Sequence, residues 1–380
     1  MIPVAKPWLA DAEAQAATEA VLSGWVTQGP RVAAFEAEFA RQVGAADACA
    51  VANCTVALHL VMTAMGIGPG DEVITVSHSF IATANAIRQT GATPVFVDVD
   101  DATGNMDPKQ VAAVLTPRSK ALLVVHQVGM PCDLAALLPL AEQHGLLLIE
   151  DAACAIGSEI LWQGQWERIG RPHGHAACFS FHPRKVVTTG DGGMITTRDP
   201  ALLARCRLLR QHAMSIPDTV RHAASQVVFE HYPEVGFNYR MTDIQAAVGL
   251  AQLQRLTAII ERRRALAACY RTQLEAAGWG QLLPVEPAWA RSNWQSFCIR
   301  LPEQTDQRVF MQAMLDAGIA TRRGVMCIHR ELPYQQPCVS LPVSEAIQDH
   351  GVILPLYHQL TEDEVALIVR AIVTNLQEVS

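Results

Sequence analysis

Residues 177–197 read ACFSFHPRKVVTTGDGGMITT. Two short apolar runs flank a polar elbow that carries one lysine, Lys185, followed by a Thr/Gly loop. The pattern predicts strand, turn, loop and strand. Phe181, Pro183, Val186 and Val187 neighbour the lysine in sequence, and the next carboxylate is Asp191. An amine in half-apolar surroundings can have its pKa lowered and act as a nucleophile or Schiff-base former. A solvated loop lysine fits this stretch equally well, so the surrounding chain has to decide.

Upstream of the elbow, short apolar runs alternate with helical periodicity. Strands are predicted at 48–52, 72–76, 94–99, 121–126 and 146–150, with helices at 56–65, 79–88, 108–115 and 134–144. This alternation predicts an α/β fold with a mostly parallel sheet covered by helices. Before it stand two helices, 11–22 and 32–43, joined by the loop Trp25-Val26-Thr27-Gln28-Gly29-Pro30. That loop reads either as a binding-site lining or as a connector whose Trp packs. After the elbow a helix spans 200–212, and 213–240 is irregular. A long helix then runs from near Thr242 toward Leu274. The remainder reads as a smaller α/β unit, with strands at 295–300 and 319–323 and helices at 306–317 and 361–379. The boundary falls near 250, giving a large domain at 1–250 with an N-terminal arm and a small one at 251–380.

Composition sets outer limits. The 380 residues are 50% hydrophobic and 17% charged, enough for a sizeable core. Net charge is −8 with no basic run, which argues against nucleic acid. The ten cysteines are scattered, without metal-ligand spacing, as in a reducing cytoplasm. No apolar run reaches the ~20 residues of a membrane span, and the N-terminus has no signal-peptide core.

In open parallel sheets, ligands bind beyond the carboxyl ends of the strands. There the sequence places Asn53-Cys54-Thr55-Val56 leading into a helix, Ser77-His78-Ser79-Phe80, Asp151, and the elbow with Ser180, His182 and Lys185. Singly, Thr55 is an ordinary cap, Phe80 a core residue and Asp151 a charge partner. Together they offer a phosphate-binding helix start, an aromatic plate, a carboxylate and an amine. Pyridoxal 5′-phosphate needs that set.

Gly24–Pro30, Gly68–Ile74, Gly91–Asp100, Glu150–Ala153, Phe179–Gly193 and Gly236–Ala247 resemble the DegT/DnrJ/EryC1/StrS family of sugar aminotransferases, which have the PLP-dependent transferase type I fold. The resemblance runs from residue 2 to the C-terminus. It implies Lys185 as the Schiff-base lysine and Asp151 as partner of the pyridine nitrogen. It implies Phe80 as the stacking ring and Thr55, the Val56 backbone and Ser180 as phosphate contacts. Cys154 stands where the family usually has Gln or His against the ring hydroxyl. Asn238 and Arg240 match a segment that reaches into the neighbouring subunit's site in family dimers. Trp25, Thr27, Gln28, His182, Arg240 and His329 are candidate substrate contacts, and Arg31, Arg184, Arg322 and Arg323 candidate diphosphate contacts.

The implied activity is transamination from L-glutamate to a nucleotide-linked keto-deoxysugar by a cytoplasmic homodimer with shared active sites. The product would serve aminosugar biosynthesis, for example of lipopolysaccharide. A dehydratase branch of the family carries histidine at the lysine position, so Lys185 favours amination. Another keto-sugar or a keto-inositol is the alternative acceptor, and a non-catalytic sensor of the cofactor or sugar is the alternative outside enzymes.

Overall fold

Val73-Ile74-Thr75-Val76 and Ala121–Val125 lack the alternation of a half-exposed strand, and both are buried throughout. They belong to a computed structural model that describes residues 1–335 and 339–377. Its strands are β1 (Ala48–Val51), β2 (Glu72–Val76), β3 (Thr93–Val97), β4 (Ser119–Val125), β5 (Leu147–Asp151), β6 (Glu159–Trp162), β7 (Gln165–Arg168), β8 (Ala176–Ser180), β9 (Gly193–Thr196), β10 (Ala290–Arg291), β11 (Phe297–Arg300), β12 (Arg322–Arg323) and β13 (Gly351–Leu354). The helices are α1 (Asp11–Leu22), α2 (Pro30–Val43), α3 (Cys54–Ala64), α4 (Ala82–Gln89), α5 (Pro108–Val111), α6 (Leu134–Gln143), α7 (Pro200–Leu209), α8 (Asp218–Ala223), α9 (Asp243–Gln254), α10 (Leu256–Ala276), α11 (Gln307–Asp316), α12 (Pro342–His350) and α13 (Glu362–Gln377).

Seven strands form the main sheet in the order β1-β9-β8-β5-β4-β2-β3. Only β9 runs against its neighbours, so the carboxyl ends of β1, β8, β5, β4 and β2 share one edge. Successive residues feed opposite faces. Ile74, Leu122 and Leu148 join Phe35 and Phe39 of α2 in one core. Val73, Leu123 and Ile149 join α3 and α7 in the other. Two covered faces explain the uninterrupted apolar runs.

The second α/β unit is built on the antiparallel sheet β11-β13-β12, with its own core from α10, α11 and α13. Ile2 of the N-terminal arm pairs with Ile319 and packs on this core. Leu256, Ile259 and Ile260 belong to the main-sheet core, whereas Leu266, Tyr270 and Leu274 belong to the second. The passage between the two cores therefore lies within α10.

Several features differ from the sequence expectation, among them α8, which lies in the stretch 213–240 expected to be irregular. The single helix expected from Thr242 is two, broken at Arg255 (φ −102°, ψ 1°). The Arg255 guanidinium lies 4.3 Å over the ring of Trp8, which stacks at 3.7 Å on His358, so the break coincides with an anchor for the N-terminal arm. The hairpin β6–β7, paired with β10, turns on Gln163 (φ 48°) and Gly164 (φ 84°), a type I′ geometry without its usual Asn-Gly signal. Helix α12 and strand β13 occupy residues for which no element is expected. The end of the C-terminal helix expected to 379 lies outside the described residues, as does Cys338. Among the described residues, no helix is long and apolar enough to cross a membrane.

One carboxylate ties the N-terminal helices to this scaffold. Gly29 precedes α2 and has no side chain to cap it. Asp243 does so from α9: Oδ1 accepts from the N–H groups of Gly29 (2.8 Å) and Val32 (3.0 Å), and Oδ2 from that of Arg31 (3.0 Å). At 1% exposure Asp243 is out of reach of water. We expect Asp243→Ala to lower unfolding free energy by about 3 kcal/mol, read as a drop in urea midpoint. An unchanged midpoint would mean the cap contributes nothing.

Candidate active site

The shared strand edge opens into a cavity of about 600 Å³. From below it is lined by Thr55 and Val56 after β1, Asp151 and Cys154 after β5, and Ser180 and Lys185 after β8. Phe80, after β2, is 58% exposed at the rim. His182 also lines the cavity.

The elbow's shape follows from its own hydrogen bonds. The Lys185 N–H donates to the His182 carbonyl (2.8 Å), and the Thr188 hydroxyl to that of Phe181 (2.8 Å). Gly190 takes φ +84°, where a side chain is strained. A Cβ on Gly193 would lie 2.5 Å from the backbone of Asn53, so only glycine lets β9 pass the start of α3. From the second unit, the Gln295 amide donates to the Arg184 carbonyl (2.7 Å).

Within this frame the Lys185 amine donates to Cys154 Sγ at 3.0 Å. Burial works against the ammonium, but Cys154 and then the Asp151 carboxylate outweigh it, so the amine is held above its ordinary value. The sequence expectation was the reverse, a pKa lowered by apolar neighbours. Those neighbours, Phe181, Val186 and Val187, pack into the core, while the amine reaches the Cys154 sulfur and feels the Asp151 charge. Burial also pushes the Asp151 carboxyl up, against the Thr83 hydroxyl, the Ala153 N–H and the Lys185 charge. Burial, followed by the Arg184 charge, lowers His182 and favours its neutral form.

The residues fit pyridoxal 5′-phosphate by the chemistry of their donors. Asn53 caps α3 by accepting from the Val56 N–H (3.0 Å), and the Thr55 hydroxyl opens the helix beside it. Ser180 Oγ accepts from the His182 N–H (3.3 Å), which leaves its own proton for an anion. An amine, a buried carboxylate and an exposed ring complete the set.

Other candidates stand elsewhere. Trp25, Thr27 and Gln28 lie against Gln211, His222 and Asp243 and do not line this cavity. Asn238 and Arg240 do not line it either, although Tyr239 between them does. His329 is buried between the two units. The Glu345 carboxylate only accepts, so the His329 Nε2–H donates to it (3.1 Å) and Nδ1 accepts from Ser77 Oγ (2.6 Å), which in turn accepts from the His329 N–H (3.0 Å).

Sequence reading missed several residues. Thr83 donates to Asp151 Oδ2 (2.8 Å). Asn293 Nδ2 donates to the carbonyls of Cys154 and Ile156 (2.8 Å each), fixing the loop that carries the thiol. His126 accepts from the Cys132 N–H at Nδ1, so its Nε2–H donates to Glu150 (3.0 Å) directly behind Asp151. A strand-end search could have found His126. The others come from distant segments that no local motif marks.

The DegT/DnrJ/EryC1/StrS aminotransferase family matches residues 7–373. The chain is 36% identical over 379 residues to the spore coat polysaccharide biosynthesis protein SpsC of Bacillus subtilis (strain 168), covering 98% of this chain and 96% of SpsC. It is similar to the crystal structure of the aminotransferase TlmJ from Streptoalloteichus hindustanus at 34% identity and a TM-score of 0.90, covering 100% of this chain and 99% of TlmJ. Helicobacter pylori PseC, an aminotransferase involved in the biosynthesis of pseudoaminic acid, gives 25% identity and a TM-score of 0.90 over 99% of each chain.

Two outcomes follow from this geometry. Since folding raises the Asp151 carboxyl above its ordinary 3.8, the penalty on its charge is absent below that pH and sets in as pH rises through the folded value. Asp151→Asn should therefore raise the urea midpoint of the cofactor-free protein at neutral pH, with the gain fading toward pH ~4. A lower midpoint at neutral pH would contradict this. His329→Ala should lower stability by about 1–3 kcal/mol while leaving substrate KM unchanged, because its ring bridges the two units. A raised KM at unchanged stability would place the ring in the binding site instead.

Proposed function

Because the chain belongs to the DegT/DnrJ/EryC1/StrS aminotransferase family, whose members use pyridoxal 5′-phosphate, we propose that it transfers an amino group from L-glutamate to a nucleotide-linked keto-sugar. The observation that carries this reading is the convergence of Lys185, Asp151, Thr55 and Ser180 on one cavity. The cofactor, when bound, supplies an aldehyde for amine exchange and a ring that accepts electrons.

The chain's own residues do the rest. The Thr55 and Ser180 hydroxyls bind the phosphate at the start of α3, where the Val56 N–H would have to turn from the Asn53 cap to join them. Phe80 offers its flat face at the rim. Asp151 holds a proton on the ring nitrogen as its ionic partner. Lys185 Nζ would hold the cofactor's aldehyde and, once freed by the incoming amine, would move the proton from the substrate Cα to the cofactor carbon that carried the aldehyde, the opposite transfer serving the keto-sugar half. Cys154 faces the same amine and takes the place of a ring-hydroxyl contact. Arg184, Arg322 and Arg323 line the outer cavity and suit a diphosphate.

A homodimer supplies what one copy lacks. Trp25, Thr27, Gln28, Asn238 and Arg240 do not line their own cavity, and Gln211 links Gln28 to Asn238. In the neighbouring segments Val227, Phe229 and Val235 are each at least 85% exposed, and Leu22 is 81% exposed. Apolar side chains bared to this extent favour a covering partner, and a second copy would bring these candidates to the neighbouring site. The names of SpsC and PseC, in polysaccharide and pseudoaminic acid biosynthesis, support a surface-glycan aminosugar as product, made in the cytoplasm.

The test is a pair of half-reactions. L-Glutamate should convert the loaded protein's visible absorption and release one 2-oxoglutarate per site. Nucleotide-linked keto-sugars should restore that absorption, and free keto-sugars and keto-inositols should not. Lys185→Ala should slow the glutamate step by about 10²–10⁴-fold. Restoration by an unlinked ketose alone would overturn the nucleotide-sugar reading, and an unreactive wild type would overturn transamination.

A further inference from the structure

Asp151 is only 6% exposed, and its two carboxylate oxygens meet two donors. The Ala153 N–H reaches Oδ1 at 3.2 Å, and Thr83 Oγ1 reaches Oδ2 at 2.8 Å. Thr83 is itself 1% exposed and sits in the first turn of α4. A threonine there commonly turns its hydroxyl onto nearby backbone. This one spans 68 residues of sequence to reach the carboxylate.

The direction of the bonds can be deduced. Thr83 has one hydroxyl proton, and an ionised Asp151 only accepts. That proton therefore goes to Asp151. The 2.7 Å contact between Ser79 Oγ and Thr83 Oγ1 must then be a donation from Ser79. Ser79 is 1% exposed, and its N–H is shared between the carbonyls of Ser77 (2.8 Å) and Met326 (3.2 Å). A chain of two hydroxyl donors thus runs from Ser79 through Thr83 to the carboxylate, and the Ser79 N–H is anchored on the Met326 carbonyl of the second unit. A hydrogen bond to a charged acceptor is stronger than a neutral one, and a second hydroxyl behind it polarises it further.

We propose that Thr83, backed by Ser79, is a positioning residue that orients the Asp151 carboxylate and keeps it ionised for the cofactor ring. This rests on the reading of Asp151 as the ring-nitrogen partner. Lys185 from the elbow and His126 from the end of β4 also act on that carboxylate through their charge, and Cys54 feels it in turn. None of them is the hydroxyl donor that Oδ2 faces. The charge of Lys185 is, moreover, taken up in amine chemistry during turnover, whereas the Thr83 hydroxyl stays in place throughout.

The test uses cofactor-loaded protein, four single variants and one double variant. Thr83→Val removes the donor at nearly constant shape. It should weaken cofactor retention and lower kcat of the glutamate half-reaction, each about tenfold, with KM for glutamate within twofold. The carboxyl loses a donor to its charged form, so the acid limb of kcat should move up by about one pH unit. Thr83→Ser keeps the hydroxyl and should restore all three readouts to within twofold. Ser79→Ala should give a smaller loss in the same direction. In an Asp151→Asn background, Thr83→Val should add less than twofold. A Thr83→Val protein with wild-type retention and pH profile overturns the proposal. Failure of Thr83→Ser to restore them, or a full tenfold loss in the Asp151→Asn background, overturns it too, by showing a packing role or another target. If Asp151→Asn alone leaves cofactor absorption and retention unchanged, the reading of Asp151 itself falls, and the proposal with it.

Discussion

A carboxylate buried at the end of a central strand is the constraint around which this molecule is arranged. Asp151 ends β5 at 6% exposure, where an unpaired charge would be strongly disfavoured. Tolerating it requires two donors, the Ala153 N–H from its own loop and Thr83 from α4, together with the nearby positive charge of Lys185 on the elbow. These segments are brought together because the parallel strands end at one edge. Burying a charge that destabilises the empty fold makes sense as function, since such groups cluster where chemistry is done.

The second α/β unit contributes to that edge as well as covering it. Ile328 N–H donates to the Ser77 carbonyl, Ser79 N–H to Met326, and His329 closes a hydrogen-bonded bridge from Ser77 to Glu345. The loop after β2 is therefore clasped from outside while it presents Phe80 to the cavity and Ser79 to Thr83. Asn293 and Gln295 act similarly on the Cys154 loop and on the elbow. The site is rigid because two cores hold it.

What was legible in the sequence had a local cause. The strands of the main sheet follow from two-sided burial, and the candidates Thr55, Phe80, Asp151, Ser180, His182 and Lys185 follow from what stands at and just after their ends, whereas Cys154 came from the family resemblance alone. What was not legible depends on contacts between distant segments. Thr83 lies 68 residues from Asp151, Asn293 139 from Cys154, and Ser77 252 from His329. The interruption of the long helix at Arg255 was hidden for the same reason, because Trp8, its stacking partner, is at the other end of the domain. The direction of the Lys185 shift is set by Cys154 and Asp151 rather than by the apolar residues beside it in sequence, so that stretch alone does not carry it. The ring hydrogen bonds of His329 likewise could not be read from its place among basic residues.

The central claim is that Lys185 is the amine that holds the cofactor. The chain's lysines are Lys6, Lys109, Lys120 and Lys185, and the first three are exposed while Lys185 is half-buried in the cavity. Borohydride reduction of the cofactor-loaded protein, followed by peptide mass spectrometry, reads out which lysine carries it. The pyridoxyl mass should appear on Lys185 at one per chain. Its appearance on Lys6, Lys109 or Lys120 instead, or on no lysine, would contradict the claim.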